Sequence, residues 1–232
     1  MADKFRTAFI VGAGSGLSAS LARLLHAEGL QIALGARNPA KLEPLAAEIG
    51  ALPVSTDAAS PASVAAAFQL VESRLGSPDV VIYNASGRLR GAFVDLDAAA
   101  VRATLEVTAY GGFLVAQQAA RRMLPRSSGA ILFTGASASI KGYAQSAPFA
   151  MGKFALRGLA QSLARELAPR CIHVAHFVID GGIRSASRPV PADAPDSLLD
   201  PDAIAQTYLH VLRQDRSAWT WEIELRPWGE RF

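Results

Sequence analysis

The sequence predicts an α/β fold in which a doubly wound parallel sheet of about seven strands carries helices on both faces. Short apolar or β-branched segments alternate with longer segments of helical periodicity along all 232 residues. Half of the residues are hydrophobic, which is enough for one large core. We therefore expect a single domain spanning residues 1–232.

The predicted elements follow one another in strict alternation. The short strand segments are residues 8–11, 30–34, 51–54, 80–83, 130–134, 172–179 and 219–225. The helical segments, which have polar faces and strong helix formers, are residues 17–28, 40–49, 62–75, 98–123 and 150–167. Because parallel strands need crossover connections, this alternation predicts right-handed βαβ units.

Prolines mark several of the boundaries. Pro61 and Pro148 stand where a first helical turn is expected, and Pro201 after Asp200 repeats the pattern. Residues 186–202 contain four prolines and four aspartates with little periodicity. We predict that this stretch is a loop across the open end of the sheet and that it serves as a substrate lid.

Composition and charge exclude several classes of function. The formal net charge is +3, but basic and acidic residues are interspersed, so we expect no nucleic-acid binding. The longest uncharged run, residues 7–22, is interrupted by three glycines, so we expect no membrane span or signal peptide and a cytoplasmic protein. We predict no metal site.

A glycine-rich segment directly follows the first predicted strand and opens the first helix. It reads Gly12-Ala13-Gly14-Ser15-Gly16-Leu17. Glycines allow a tight turn and a close approach of the backbone to a diphosphate, and the helix N-terminus offers unpaired N–H groups. The context predicts a dinucleotide site that includes Gly12, Ser15, Gly16 and Leu17, against the alternative of a mere tight turn.

The end of the second predicted strand indicates which dinucleotide is bound. It lacks the acidic residue that would accept hydrogen bonds from ribose hydroxyls, and it carries Arg37 instead. A guanidinium pairs bidentately with a phosphate. We therefore predict a preference for NADP(H) over NAD(H); a solvated Arg37 without a binding role is the alternative.

The ordered motifs resemble those of the short-chain dehydrogenase/reductase family. Gly12 and Gly16 match the first two glycines of its Thr-Gly-x-x-x-Gly-x-Gly turn, although Val11 and Ser18 depart from that pattern. The segment Asn84-Ala85-Ser86 is similar to the family's Asn-Ala-Gly strand end. The resemblance covers essentially the whole chain and implies a Rossmann-type fold.

The resemblance also implies further cofactor contacts. Asp57, with Ala58 beside it, stands where the family contacts adenine, and Asn84 and Ala85 would lie along the cofactor. The segment 180–185 is similar to the family's Pro-Gly-x-Ile/Val-x-Thr turn, so the backbone of Ile183 would meet the nicotinamide carboxamide.

The family's catalytic pattern is incomplete in this chain. Where the family has a tyrosine four residues before a lysine, this sequence has Phe149 and Lys153. Alignment places Ala136 at the catalytic serine and Thr108 at the assisting asparagine. Phenylalanine has no ionisable hydroxyl, so the usual acid and base is absent, and only Lys153 remains to bind the nicotinamide ribose.

Other hydroxyl side chains could replace the missing groups. Ser137 is the neighbour of Ala136, and Tyr143 precedes Phe149 by six residues, so we name both with Lys153 as candidate catalytic residues. The resulting hypothesis is an NADP(H)-dependent oxidoreductase with an atypical proton donor that acts on an unidentified small molecule. The alternatives are a non-catalytic NADP(H)-dependent sensor or partner subunit, and unrelated chemistry on the same scaffold.

The resemblance further implies a homodimer or homotetramer. The family commonly pairs two long helices across symmetry axes, and here these are the predicted helices 98–123 and 150–167. The sequence leaves dimer and tetramer open.

Overall fold

The first six strands of the central sheet are short, largely apolar segments, and each is followed by a crossover connection. The structure, a computed structural model, describes residues 5–229. In chain order the first strands are β1 Thr7–Val11, β2 Gln31–Ala36, β3 Leu52–Ser55, β4 Val80–Tyr83, β5 Gly129–Thr134 and β6 Ile172–Ile179. The short strands β7 Gly182–Ile183 and β8 Leu198–Leu199 pair with each other, and β9 Glu222–Leu225 returns to the central sheet.

The central sheet has seven strands, and every pair of neighbours is parallel. Their order is β3-β2-β1-β4-β5-β6-β9. The direction of winding reverses between β1 and β4, where Val11 pairs with Tyr83. In open parallel sheets such a reversal leaves a crevice at the carboxyl ends of the strands, which is where ligands bind. The predicted doubly wound Rossmann-type sheet is confirmed.

Helices cover both faces of this sheet. They are α1 Leu17–Ala27, α2 Glu43–Ile49, α3 Pro61–Leu75, α4 Ala98–Leu105, α5 Gly111–Met123, α6 Ala147–Leu167 and α7 Pro201–Leu212. Within residues 5–229, no helix combines the length and the apolar character that a bilayer span requires.

Alternate residues of the buried strands enter two separate cores. In β1, Ile10 belongs to the core under α1 and α7, whereas Phe9 and Val11 belong to the core under α3, α5 and α6. Since successive side chains of a strand point to opposite faces, a strand buried on both faces needs apolar residues at every position. This requirement explains the unbroken apolar segments that the sequence analysis used to predict strands.

The predicted helix 98–123 is interrupted by a wider turn. Residues Glu106–Tyr110 form a π-helical segment between α4 and α5. The Tyr83 hydroxyl donates a hydrogen bond to the Val107 carbonyl there, and burial raises the pKa of Tyr83. A local widening of this kind leaves backbone groups free for such contacts, which an apolar periodicity does not reveal.

The C-terminal third contains elements beyond the strand and helix segments named from the sequence, including β8 and α7. Helix α7 begins at Pro201, as the Asp200-Pro201 pair indicates, and the Asp200 carboxylate accepts a hydrogen bond from the Asp202 backbone at 2.9 Å. The predicted loop 186–202 therefore also contains β8 and the first residues of α7. Residues 1–4 and 230–232, which the predicted domain includes, lie outside the described residues.

Candidate functional site

The glycine turn after β1 has a backbone conformation that only glycine tolerates at its first position. Gly12 has φ +86°, and a Cβ built there would lie 2.2 Å from the Ala85 backbone nitrogen. Its own nitrogen donates to the Gly35 carbonyl at 2.9 Å. By contrast, a Cβ on Gly14 or Gly16 would meet no protein atom within 4 Å. The turn is thus packed on its protein side and open on its outer side, as a cradle for a ligand requires.

Ser18, which departs from the family pattern, links the glycine turn to the end of β4. Its hydroxyl donates to the Gly12 carbonyl at 3.3 Å and accepts a hydrogen bond from the Asn84 side chain at 2.6 Å. Sequence analysis treated this residue only as a mismatch. The structure gives it a positioning role between the two strands at the reversal point.

A cavity of about 530 Å³, hereafter the first cavity, opens at the carboxyl ends of β1, β2 and β4. Its lining contains seven of the predicted cofactor residues, namely Gly12, Ser15, Arg37, Asp57, Ala58, Asn84 and Ala85. Elements distant in the sequence therefore contribute to one pocket, because parallel strands end at the same edge of the sheet.

The first cavity has a cationic corner. Arg37 and Lys41 both line it, and the only carboxylate in its lining is Asp57. Within residues 5–229 neither Arg37 nor Lys41 forms an ion pair with a carboxylate. Lys41 was not predicted from the sequence; its spacing from Arg37 across the short turn at Pro39–Leu42 could have indicated it. Two unpaired cations suit a phosphate group.

A second cavity of about 440 Å³ adjoins the first and shares Asn84 with it. Gly16, Leu17 and Ile183, three further predicted cofactor residues, line this second cavity, and so does Ala136. Together the two linings contain ten of the eleven predicted cofactor residues, all except Lys153.

Phe149 and Lys153 lie one helical turn apart at the start of α6. The Lys153 ammonium is 5.8 Å from the centre of the Phe149 ring, and it donates to the Thr134 carbonyl at 2.8 Å. Lys153 is only 3% exposed, and burial lowers its pKa to about 8. Within residues 5–229 the bond to the Thr134 carbonyl is the one hydrogen bond of this ammonium, so two of its three donor hydrogens remain available for hydroxyl acceptors.

Thr108 lies in the π-helical segment and packs against α6 beside Lys153. Its hydroxyl accepts a hydrogen bond from the Gly87 backbone at 2.9 Å. A Cβ on Gly152 would lie 2.9 Å from the Thr108 Cβ, so the two backbones approach closely. Thr108 is fully buried and therefore holds the loop after β4 rather than facing either cavity.

A buried polar network supports the segment that carries Ala136. The Ser139 hydroxyl accepts from the Ala136 backbone at 3.1 Å and lies 3.3 Å from His176 Nε2. His176 Nδ1 is 3.0 Å from a Glu222 carboxylate oxygen, and Arg157 binds the same carboxylate at 2.6 and 2.7 Å. Because Ser139 and His176 are fully buried, the network holds the backbone in place and exposes no nucleophile.

The charges of this network follow from its burial. Burial lowers the pKa of His176 to about 4, although Glu222 opposes the shift. Burial alone would raise the pKa of Glu222, but the hydrogen bonds from Arg157 and His176 and the charge of Arg157 bring it below its usual value. A neutral imidazole that donates from Nδ1 and accepts from Ser139 at Nε2 satisfies all of these contacts. Sequence analysis missed His176, Glu222 and Arg157.

Ser137 and Tyr143, the candidate replacements for the missing hydroxyls, line neither cavity. Tyr143 is 47% exposed and interacts with Lys141, whose ammonium is 3.0 Å from the Asp180 carboxylate. The hydrogen bond to Asp180 raises the pKa of Lys141. Of the residues at the family's catalytic positions only Ala136 lines the second cavity; Lys153 and Phe149 adjoin it through Thr134 and Arg88, which do line it.

The predicted lid segment lies beside the second cavity. Ser187 and Arg188 contribute to its lining, and Ser185 and Arg188 exchange two backbone hydrogen bonds of 3.0 Å. The pairing of β7 with β8 fixes both ends of the intervening stretch. Its role as a lid stays a prediction.

Comparison with known proteins identifies relatives over nearly the full length. A sequence profile of the family described as short chain dehydrogenase matches residues 6–188, well over half of the chain. An uncharacterized oxidoreductase of Staphylococcus aureus strain N315 is 28% identical over 228 residues, which cover 96% of this chain and 97% of that protein.

Solved structures give the same result. A short-chain dehydrogenase from Rhodopseudomonas palustris is 35% identical, with a TM-score of 0.84 over 96% of this chain and 99% of that one. An alcohol dehydrogenase from the archaeon Thermococcus sibiricus, complexed with 5-hydroxy-NADP, is 24% identical, with a TM-score of 0.86 over 97% and 98% of the two chains. At that identity the second structure supports the fold alone.

Proposed function

Because the chain belongs to the short-chain dehydrogenase family of oxidoreductases, we propose that it is an NADP(H)-dependent oxidoreductase with an atypical proton donor. One observation carries the proposal: the first cavity holds the unpaired cations Arg37 and Lys41, and the adjoining second cavity is lined by Thr134, whose carbonyl accepts a hydrogen bond from the buried Lys153. The bound nucleotide supplies or accepts a hydride.

Different groups of the chain bind different parts of the nucleotide in this proposal. The backbone N–H groups of the Gly12–Leu17 turn face the diphosphate, and Arg37 with Lys41 pairs with a 2′-phosphate. Lys153 directs its remaining donors toward ribose hydroxyls. The same fold in the Thermococcus sibiricus alcohol dehydrogenase holds an NADP analogue.

Reduction of a substrate consumes one hydride and one proton, and Phe149 has no proton to give. The loss of a general acid costs about two to four orders of magnitude in rate. Activated double bonds and iminium ions need little or no acid assistance, so they suit this site better than simple ketones. Tyr143, Ser137 or water would deliver any proton still required, with the loop that carries Tyr143 moving toward the cleft.

A test combines cofactor binding with a substrate screen. NADPH and NADH are titrated by calorimetry, and carbonyl, enone and imine substrates are then screened with the wild type, Phe149→Tyr and Lys153→Ala. We expect tighter binding of NADPH than of NADH, and turnover of an enone or imine that Lys153→Ala weakens. Equal affinity for the two nucleotides would contradict the cofactor assignment, and turnover confined to Phe149→Tyr would contradict catalysis by the natural chain.

The second candidate function is a non-catalytic NADP(H)-dependent sensor or partner subunit. It is favoured by the simultaneous presence of Ala136, Phe149 and a fully buried Thr108 at the three positions where the family carries its other catalytic groups. Cofactor-dependent binding to another protein without turnover would support this function over the first.

We also propose that the protein forms a homodimer or homotetramer through its long helices. Tyr110 and Phe113 stack with ring centres 6.2 Å apart at the start of α5, and both are more than 40% exposed. Met151 and Phe154 are exposed on α6 in the same way. Light scattering of the wild type and Phe154→Glu tests this, and a monomeric wild type would contradict it. The predicted cytoplasmic location stays a prediction.

A further inference from the structure

We infer that the substrate carries an anionic group, a carboxylate or a phosphate, which Arg88 and Arg188 bind at the second cavity beside Phe149. The inference rests on the proposed oxidoreductase function, because it assigns the chemistry of that reaction's substrate. Both side chains line the second cavity. Arg88 belongs to the loop after β4, and Arg188 belongs to the stretch between β7 and β8.

Arg88 lies directly against the residue at the tyrosine position. Its guanidinium carbon is 5.3 Å from the centre of the Phe149 ring, and the Lys153 ammonium is 5.8 Å from the same centre. A guanidinium that lies over an aromatic face keeps its N–H edges free for a planar oxyanion. A substrate that contacts Phe149 would therefore have its charged group within reach of Arg88.

Arg188 lines the same cavity. A Cβ built on Gly182 would lie 2.9 Å from an Arg188 guanidinium nitrogen, so the glycine leaves room for this side chain. Arg184, the third arginine in the lining, is 2.8 Å from the Asp200 carboxylate and is thereby neutralised. Among residues 5–229 no carboxylate pairs with Arg88 or Arg188.

The charge balance of the second cavity favours an anion. Its lining includes three arginines and no aspartate or glutamate. Burial lowers the pKa of Arg88, and repulsion from Arg90 and Arg188 lowers it further. Arginine remains charged at neutral pH despite such a shift, so the repulsion persists until an anion offsets it. A neutral substrate would leave two like charges facing the same space.

The cofactor's diphosphate is the competing anion. The Gly12–Leu17 turn and the N-terminus of α1 already provide backbone donors for that group, and Gly16 and Leu17 border the second cavity on the side of α1. Arg88 instead lies over Phe149, at the reaction position. The experiment must still separate the two roles by measuring each ligand independently.

Three aromatic probes test the inference, namely benzoate, the nearly isosteric neutral benzamide, and phenyl phosphate. Each is titrated by calorimetry into the full-length protein with and without saturating NADP+. Arg88→Met and Arg188→Met remove one charge each with little change of volume. Arg90→Met is the matched control, because Arg90 belongs to the same loop but lies outside the lining of the cavity.

We expect benzoate or phenyl phosphate to bind the wild type at least tenfold more tightly than benzamide does. Arg88→Met and Arg188→Met should each lower the affinity for the anionic probe by about tenfold or more, whereas Arg90→Met should leave it unchanged. Arg88→Lys should retain more of that affinity than Arg88→Met does. The stronger of the two anions identifies the group. Equal affinity for benzamide, or equal anion affinity in all variants, would overturn the inference.

Parallel NADPH titrations of the same variants separate this inference from the proposed function. If Arg88→Met and Arg188→Met lose affinity for NADPH and not for the probes, the arginines serve the diphosphate and the inference is wrong. If the wild type binds neither nucleotide but binds the anionic probes through Arg88 and Arg188 without cofactor, the anion site is supported. The same result would contradict the proposed NADP(H)-dependent function.

Discussion

The first and second cavities share Asn84 and the carboxyl edge of the same sheet, but they recognise ligands with different parts of the chain. At the first cavity the groups available to a ligand are mainly backbone groups at the Gly12 turn, with Arg37 and Lys41 adding charge. At the second cavity the family's chemistry depends on individual hydroxyl groups, and this chain has Ala136 and Phe149 at those positions. Backbone hydrogen-bonding groups persist through most side-chain substitutions, whereas a hydroxyl proton donor is lost when a single oxygen atom is removed.

The largest expected effect comes from restoring the hydroxyls at the second cavity. In the double variant Ala136→Ser/Phe149→Tyr, a phenol would stand one helical turn from Lys153. We expect NADPH-dependent reduction of simple carbonyls to increase by about two to four orders of magnitude over the wild type. Steady-state kinetics at constant pH measures the change.

The control for that gain is the triple variant that also carries Lys153→Met. It keeps the restored hydroxyls but removes the buried ammonium, so it should lose most of the increase. An unchanged carbonyl rate in the double variant would mean that the two cavities do not form one reaction site.

Gly12→Ala should have the next largest effect, because it acts on the backbone cradle itself. The added Cβ meets the Ala85 backbone at 2.2 Å, and φ is +86°. We expect a loss of about 2–4 kcal/mol in the free energy of unfolding, since both strain and a steric clash must be relieved. Chemical denaturation measures it, and cofactor affinity should fall as well.

Gly14→Ala is the matched control for the turn. Its Cβ would meet no protein atom within 4 Å, so the free energy of unfolding should stay near that of the wild type. If Gly12→Ala were as stable as Gly14→Ala, the close contact between the glycine turn and β4 would be contradicted.

Arg37→Ala tests the charged part of the first cavity and should have a smaller effect. We expect about 10- to 100-fold weaker binding of NADPH and little change for NADH, because only NADPH carries the 2′-phosphate. Calorimetric titration of both nucleotides gives the ratio. Lys41→Ala should lower the ratio of NADPH affinity to NADH affinity as well. If Arg37→Ala weakened the binding of both nucleotides equally, Arg37 would not bind the 2′-phosphate.

The smallest expected effect is a pH dependence from the network behind the second cavity. Burial places the pKa of His176 at about 4, below its unfolded value, so the unfolded chain binds the extra proton first as pH falls. Stability should therefore decrease from about pH 6.5 toward pH 4, by about 1–2 kcal/mol at pH 5.

His176→Gln isolates this contribution. The variant should be less stable than the wild type at pH 7, because it breaks the contacts with Ser139 and Glu222, but the difference should shrink at pH 5. Denaturant unfolding at the two pH values gives both differences. A constant difference would contradict a buried neutral imidazole.

Much of the fold was predictable because strands buried on both faces require unbroken apolar segments, and helices require a 3.6-residue period. The glycine turn and Arg37 could be placed in the cleft for a similar reason, since parallel strands all end at one edge of the sheet. The π-helical segment at Glu106–Tyr110 could not be predicted, because the hydrogen bond that accompanies it comes from Tyr83, on a strand distant in the sequence.

The sequence by itself determined the α/β class, the glycine turn and the absence of a phenol at position 149, since these depend on local pattern or on a single residue's chemistry. Only the tertiary structure decided which side chains share a cavity. Ser137 and Tyr143 lie near Ala136 and Phe149 in the sequence, yet they line neither cavity. Arg88 and Arg188 are far apart in the sequence and meet at the second cavity, because strand order and loop packing, not chain distance, bring charges together.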